Sequence, residues 1–407
     1  MPSPAGPPPR ASGREAGATA TAGAALLMAT SAIGPGFLTQ TAVFTSALRA
    51  DFAFAILASI AVDVAAQVNV WRVLGVARRR GQELASELVP GLGTAVALLV
   101  AFGGLVFNVG NIAGCGLGLA VLGVPAPIGA AASAASAVAL LSLPRAARAM
   151  DLFANVLGAV MILLTAAVML SSGPDYAAAL RGAVAPGRVE LLPLVTLVGG
   201  TVGGYITFSG VHRLLDAGIG GPGDVPRLTR AAALGIGVTG AMRVLLFLAV
   251  LGVVARAGQL DPANPAADAF RRGAGEWGYR VFGVVLWSAA ITSVVGCSYT
   301  SMSFLRTPWG PVQRHLRAAL AVFIGTALVL YLFLGRPVRL LVLAGGLNAL
   351  ILPVTLGVVL VASRRRDLMG EYRHPPVLQA AGWMAWLVSV GAGALAIGEM
   401  GRLWTAR

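Results

Sequence analysis

Of 407 residues, 57% are hydrophobic and 11% charged, against roughly 25% charged residues in soluble domains. The formal charge of +14 rests wholly on arginine, because the chain has no lysine, and the arginines sit in short loops between apolar stretches. That placement excludes a nucleic-acid surface, and the composition predicts an all-α, polytopic integral membrane protein.

In chain order, residues 1–20 are rich in Pro, Ala and Gly without hydrophobic periodicity, and read as a disordered cytoplasmic tail. Crossing about 30 Å of hydrocarbon takes about 20 apolar residues. Suitable stretches run from 21 to 48, 52 to 76, 94 to 122, 127 to 143 and 152 to 171. Six more follow, from 191 to 219, 230 to 254, 278 to 302, 317 to 334, 337 to 362 and 377 to 399. Residues 21–407 therefore read as a single transmembrane domain of about eleven helices. The run 22–33 has the length of a secretory h-region, but it continues into further membrane-compatible sequence, which disfavours a cleaved signal peptide. With the N-terminus cytoplasmic, 18 arginines face the cytoplasm, 11 face outward and Arg243 stays in the membrane. This bias satisfies the positive-inside rule and predicts a multi-pass protein of the cell (inner) membrane with its C-terminus outside.

Two spans are interrupted. Gly34-Pro35-Gly36-Phe37-Leu38-Thr39-Gln40-Thr41 breaks the first, and Gly199-Gly200-Thr201-Val202-Gly203-Gly204-Tyr205 breaks the sixth. Unpaired backbone at mid-bilayer is tolerated only where protein or a wet cavity satisfies it. Matching breaks in two halves are the strongest sequence pointer to a secondary transporter's substrate region. Thr39, Gln40, Thr41, Thr45, Thr201, Gly203, Gly204 and Tyr205 are the expected lining, with the two glycines enlarging the pocket and Tyr205 either binding solute or anchoring the break.

Asp63 and Arg243 stand well inside the second and seventh spans at comparable depth. An isolated charge there costs at least about 3 kcal/mol, so either they pair, for bundle packing or for gating or coupling, or one of them meets the substrate. Asn108 and Asn111 in the third span read as interhelical hydrogen-bond residues or as polar pathway lining. Asn348 in the tenth span reads as a polar pathway or packing residue. Cys115 and Cys297 read as packing residues. Ser298, Thr300 and Ser301 make the eighth span locally polar. His212, His315 and His374 all look interfacial and form no metal cluster. Asp261, Asp268, Arg271, Arg272 and Glu276 read as a solvated external surface. No HExxH, Walker, CxxC or Gly-x-Ser-x-Gly pattern is present, so the chain does not read as an enzyme, and no cofactor is expected.

The Gly34-Pro35-Gly36-Phe37 entry, Gly200-Thr201-Val202, Asn348 to Pro353, and Leu368-Met369-Gly370-Glu371-Tyr372-Arg373 together resemble the natural resistance-associated macrophage protein (Nramp) family over roughly residues 25–400. The resemblance implies the leucine-transporter fold: two inverted five-helix repeats, substrate between the broken first and sixth helices, and an eleventh helix. It also exposes departures. The family's Asp-Pro-Gly-Asn and Met-Pro-His metal motifs are missing, Gly203, Gly204 and Tyr205 standing where the latter is expected, and Gly345 falls where a glutamine is usual. Asn108 and Asn111 align with a family Asp and Glu, and an amide does not titrate, so proton coupling is expected to be weak or absent. The metal ligands, if any, are unknown from sequence.

The resulting expectation is an Nramp-like secondary transporter or facilitator working by alternating access, most readily for a hard divalent cation such as Mg²⁺, since oxygen-only uncharged ligands suit an ion that keeps its waters. A carrier of a small organic solute such as an amino acid, and a non-transporting scaffold or sensor, stay open. The partners implied are the lipid bilayer and a small ion or solute.

Overall fold

The computed structural model describes residues 13–142, 144–306 and 309–405. Among them the chain is helical throughout, in the order α1 (Gly13–Ala32), α2 (Pro35–Leu48), α3 (Phe52–Ala77), α4 (Gly81–Leu88), α5 (Leu92–Val121), α6 (Ala126–Ser142), α7 (Pro144–Ser172), α8 (Tyr176–Val184) and α9 (Leu191–Thr201). There follow α10 (Ile206–Asp216), α11 (Val225–Ala257), α12 (Pro265–Arg306), α13 (Gly310–Arg314), α14 (Leu316–Leu334), α15 (Pro337–Ala349), α16 (Leu352–Ala362), α17 (Arg366–Met369) and α18 (Pro376–Thr405).

Eight helical stretches among the described residues are long and apolar enough to cross a bilayer. One of them, Pro35–Ala77, joins α2 to α3 through a tight turn at Arg49–Asp51. The shorter apolar helices Ala20–Ala32 and Ala126–Leu141 and the segment Val156–Ser172 complete the set. Each of the eleven expected stretches thus falls on a helix or on a pair of helices. α8 meets α7 at 108°, so it lies across the end of the bundle instead of extending the span.

Three spans are split, and local chemistry explains each split. Between α1 and α2, Gly34 is extended (φ −92°, ψ −176°) and Pro35 opens the new helix, its ring fixing φ and its missing N–H removing a bond that could have bridged the gap. Between α9 and α10 the chain passes through Val202–Tyr205 with Gly204 at φ +55°, a left-handed conformation that only glycine adopts without strain. Between α15 and α16, Pro353 withholds a donor, and Leu350 and Ile351 close tight turns onto Leu347 and Asn348.

Three expectations need correction. The first break is narrower than the sequence suggests, because it is confined to Ile33 and Gly34 while Phe37 to Thr41 are helical. The tail expected over 1–20 is helical from Gly13 onward; its first part lies outside the described residues. The external segment also differs from the solvated surface expected there. Asp268 is buried, bridged at 2.8 Å to both Arg271 and Arg272, and accepts from the Asp261 N–H at 2.9 Å. It acts as a staple at the start of α12.

The bundle closes on small residues. A Cβ on Gly118 of α5 would stand 2.6 Å from the Trp287 backbone nitrogen of α12, so these two helices approach backbone to backbone, the mode by which membrane helices associate without a hydrophobic drive.

Candidate substrate site

The gap between α1 and α2 and the last turn of α9 meet at a small cavity of about 10 Å³, close to the minimum for one water. Its wall is formed by Ser31, Gly34, Gly36, Phe37, Asn111 and Gly200, with Phe107, Leu341 and Ala344 completing it. The polar character of this wall comes from sequence. Gly34 caps α2 without a side-chain bond, Pro35 has no N–H, and the Leu38 N–H is taken by the Gly34 carbonyl at 3.3 Å. The Gly36 and Phe37 N–H groups therefore lack helical acceptors. Asn111 is 4% exposed with Nδ2 unpartnered, and Ser293 is 3% exposed with Oγ unpartnered, 3.3 Å from where a Gly34 Cβ would stand.

The expected lining residues sit close by, but none is on this wall. Gln40 turns into α15, its Nε2 donating to the Leu341 carbonyl at 2.9 Å, and its Oε1 is left without a partner. It fills the space over Gly345, whose Cβ would lie 2.5 Å from Gln40 Nε2. A glutamine reaching across from the first span thus occupies the side of α15 where a family glutamine is absent. Thr41 and Thr45 are buried and their hydroxyls donate to carbonyls one turn back, at 2.8 and 2.6 Å. Thr39 is buried beside them. Gly203 and Gly204 do not enlarge the pocket: a Cβ on Gly204 would collide with Asn348 Oδ1 and one on Gly203 would lie 2.7 Å from the Asn348 carbonyl. Asn348 itself ties α15 to α5 by donating to the Gly103 carbonyl at 3.0 Å. Tyr205 is buried with its ring edge-on to Phe107, centroids 5.6 Å apart. Asn108 donates to Ser298 Oγ at 3.0 Å, linking α5 to α12.

Behind Phe37 lies a buried ionic cluster. Arg243 Nη1 is 3.4 Å from Asp63 Oδ2 and donates to Ser59 Oγ at 2.7 Å. The Thr201 hydroxyl donates to Asp63 Oδ2 at 2.7 Å, tying the pair to the last residue of α9. The guanidinium also stands over the Phe37 ring, 5.2 Å from its centroid. Removing either partner would strand the other in low dielectric, which is why such clusters resist single substitutions. Asp63 and Arg243 were expected to meet each other or the substrate because neither tolerates isolation at that depth; Thr201 and Phe37 join them to both broken spans.

On the arginine-rich face a larger vestibule of about 530 Å³ reaches inward, bordered by α1, α10, α12 and α14. Arg80, Arg213, Arg317, His212 and Asp216 line it. Asp216 is bound to Arg80 at 2.6 Å. No ion pair is formed by Arg213 or Arg317 among the described residues. His212, expected at an interface, is instead buried between the Phe208 and Phe304 rings with both ring nitrogens unpartnered. Only a thin floor separates vestibule from cavity: Gly296 borders the former, Ser31 the latter, and a Cβ on Gly296 would lie 3.9 Å from Ser31 Oγ.

Sequence reading missed Ser31, Ser293 and Gly296. A signal existed, because Ser293, Cys297 and Ser301 recur every four residues and so share one face of α12; Cys297 donates to the Gly104 carbonyl of α5 at 3.0 Å.

Among the described residues no group of three or more His, Cys, Asp or Glu could hold a metal ion. Two broken spans around a buried cavity, with a vestibule on one face, define the leucine-transporter class of membrane fold. The same fold is found in an Eremococcus coleocola manganese transporter (TM-score 0.76, 15% identity, 96% of this chain and 89% of that one). It is also found in the inward-facing conformation of Mhp1 (TM-score 0.59, 15% identity, 93% and 91%). Residues 25–398 match the family described as natural resistance-associated macrophage protein-like, and the chain belongs to that family. It is 48% identical to the uncharacterized membrane protein YcsG of Bacillus subtilis over 94% of this chain and 93% of that one.

Proposed function

We propose that the protein is a secondary transporter that carries a small solute by alternating access, with α1–α2 and α9–α10 rocking around the cavity. The observation that carries this reading is the convergence of two helix breaks on one buried space, with a deep vestibule on one face and a floor one contact thick between them. We infer an inward-facing conformation, because the vestibule opens on the face that Arg80, Arg213 and Arg317 line. We infer that the arginine-rich vestibule face is cytoplasmic, in accord with the positive-inside rule. Phe37, Leu38 and Met242 belong to one buried apolar cluster next to the cavity wall at Phe37.

Family membership and the shared fold with a manganese transporter favour a divalent metal ion as cargo. Within that reading a hard ion such as Mg²⁺ fits best: unpartnered amide oxygens at Gln40, Asn108 and Asn348 surround the breaks, and no thioether or imidazole lines the cavity, so an ion that retains its waters is tolerated better than a soft one. A second reading, an organic solute, is favoured by the hydrogen-bond donors that face the cavity. With Asn108 and Asn111 where titrating acids would serve a proton route, transport runs without strong proton coupling. Uptake into proteoliposomes across a panel of Mg²⁺, Mn²⁺ and small organic solutes tests this. Saturable uptake of one of them, changed less than about twofold by a pH gradient, is expected; absence of uptake of every solute, with folded protein, contradicts it.

A further inference from the structure

The geometry points to a carboxylate-bearing small solute as the cargo, its carboxylate held by the N-terminus of α2 together with Asn111 and Ser293. This rests on the alternating-access reading and decides between its two cargoes.

The cavity gathers donors at the start of α2, next to the amide oxygens of Asn111 and Gln40, which lie 3.8 and 3.1 Å from where a Cβ on Gly34 and on Gly200 would stand. A helix N-terminus carries roughly half a positive charge and presents N–H groups outward. Here those of Gly36 and Phe37 open on the cavity with no side-chain cap. Ser293 Oγ stands beside Gly34 without a partner, Asn111 turns its Oδ1 toward Gly34 and leaves Nδ2 unpartnered, and both side chains are more than nine-tenths buried. Leaving two such groups unmade is costly in a folded interior, and one planar anion with two acceptor oxygens satisfies them and the helix terminus at once. The buried carboxylate Asp63 is engaged through Oδ2 by Arg243 and Thr201 and is not part of the cavity wall.

The exit route carries the same sign. Past the floor at Ser31 and Gly296 the vestibule presents Arg213 and Arg317 in excess over the Arg80–Asp216 pair. A divalent cation leaving the site would meet two uncompensated guanidinium groups, whereas an anion would be drawn along them. The cavity is too small for the cargo as it stands, so the α1 side must lift from α12 to admit it.

Thermal unfolding of the full-length purified chain tests the inference. Acetate, propionate, pyruvate, benzoate and glycine are each compared with the matching neutral amide, and MgCl₂ and MnCl₂ are run in parallel. At least one carboxylate is expected to raise the midpoint while its amide does not. Ser293→Ala is expected to weaken the apparent affinity about tenfold, as loss of a hydrogen bond to a charged group does. Asn111→Asp, which keeps the shape and adds a negative charge, is expected to abolish carboxylate stabilisation. The inference is overturned if only the metal salts stabilise, if nothing in the panel does, or if Asn111→Asp still responds to the carboxylate with unchanged affinity. Metal-only stabilisation, alongside uptake of that metal, would sink this inference while leaving the carrier reading intact. Carboxylate stabilisation without any uptake would do the reverse.

Discussion

At the scale of single residues, the Asp63–Arg243 pair shows what burial dictates. Each charge alone is untenable at that depth, so their encounter was legible from sequence as one of two outcomes, the other being contact with the substrate. What was not legible is that Thr201 and Phe37 complete the cluster, since an ordinary hydroxyl and an ordinary ring carry no such demand. Asp63→Asn and Arg243→Gln are each expected to destabilise by about 3–5 kcal/mol, and the double variant by clearly less than the sum, as a double-mutant cycle on thermal or denaturant unfolding will measure; additive losses would contradict the pairing. The glycines misled for a physical reason. Absence of a side chain signals room but not whose room it is, and at Gly204 the room belongs to Asn348. Gly204→Ala must both adopt φ +55° and displace the Asn348 amide, so a loss of at least about 2 kcal/mol is expected from unfolding curves, with little relief from Asn348→Ala because the backbone strain remains.

At the scale of elements, proline and glycine announced the breaks correctly, but their extent depended on packing. Phe37 to Thr41 stay helical because Thr41 and Thr45 turn their hydroxyls back onto their own helix, and because Gln40 finds the Leu341 carbonyl of α15. The tertiary partner of Gln40 is 301 positions away, beyond any local signal. The anchoring of α18 to α3 was likewise invisible. Asn69 donates to the Leu378 carbonyl at 2.9 Å and accepts from His374 Nε2 at 2.7 Å, while the Tyr372 hydroxyl donates to His374 Nδ1 at 3.3 Å. That arrangement needs a neutral ring. Burial, with Arg72 nearby, lowers the His374 pKa to about 4 from the usual 6.5. The folded state therefore binds fewer protons than the unfolded state between these values. The stabilisation is full above about pH 6.5 and fades as pH falls toward 4. The melting midpoint is expected to drop over that window, and His374→Gln to flatten the drop; an identical pH profile in the variant would contradict it.

At the scale of the whole molecule, the apolar stretches made the helical membrane architecture legible, because a bilayer admits few solutions. The cavity wall was less legible. Its donors are backbone N–H groups that no residue letter reveals, and Ser293 belongs to another span that only folding brings beside Gly34. Charge at this scale argues for function too: the vestibule faces the arginine-rich side and shares its sign, so transport rates are expected to fall with rising ionic strength on that side if an anion is steered through it.

The account stands or falls on whether the cavity opens in turn to both sides of the membrane. Ser31→Cys, in a Cys115→Ser, Cys297→Ser background, places a thiol on the cavity wall at the thin floor; membrane-impermeant thiol reagents can then be applied from each face of sealed vesicles. Alternating access requires labelling from both faces, each slowed by the transported solute. Labelling from the vestibule face alone, under every solute condition, would contradict it.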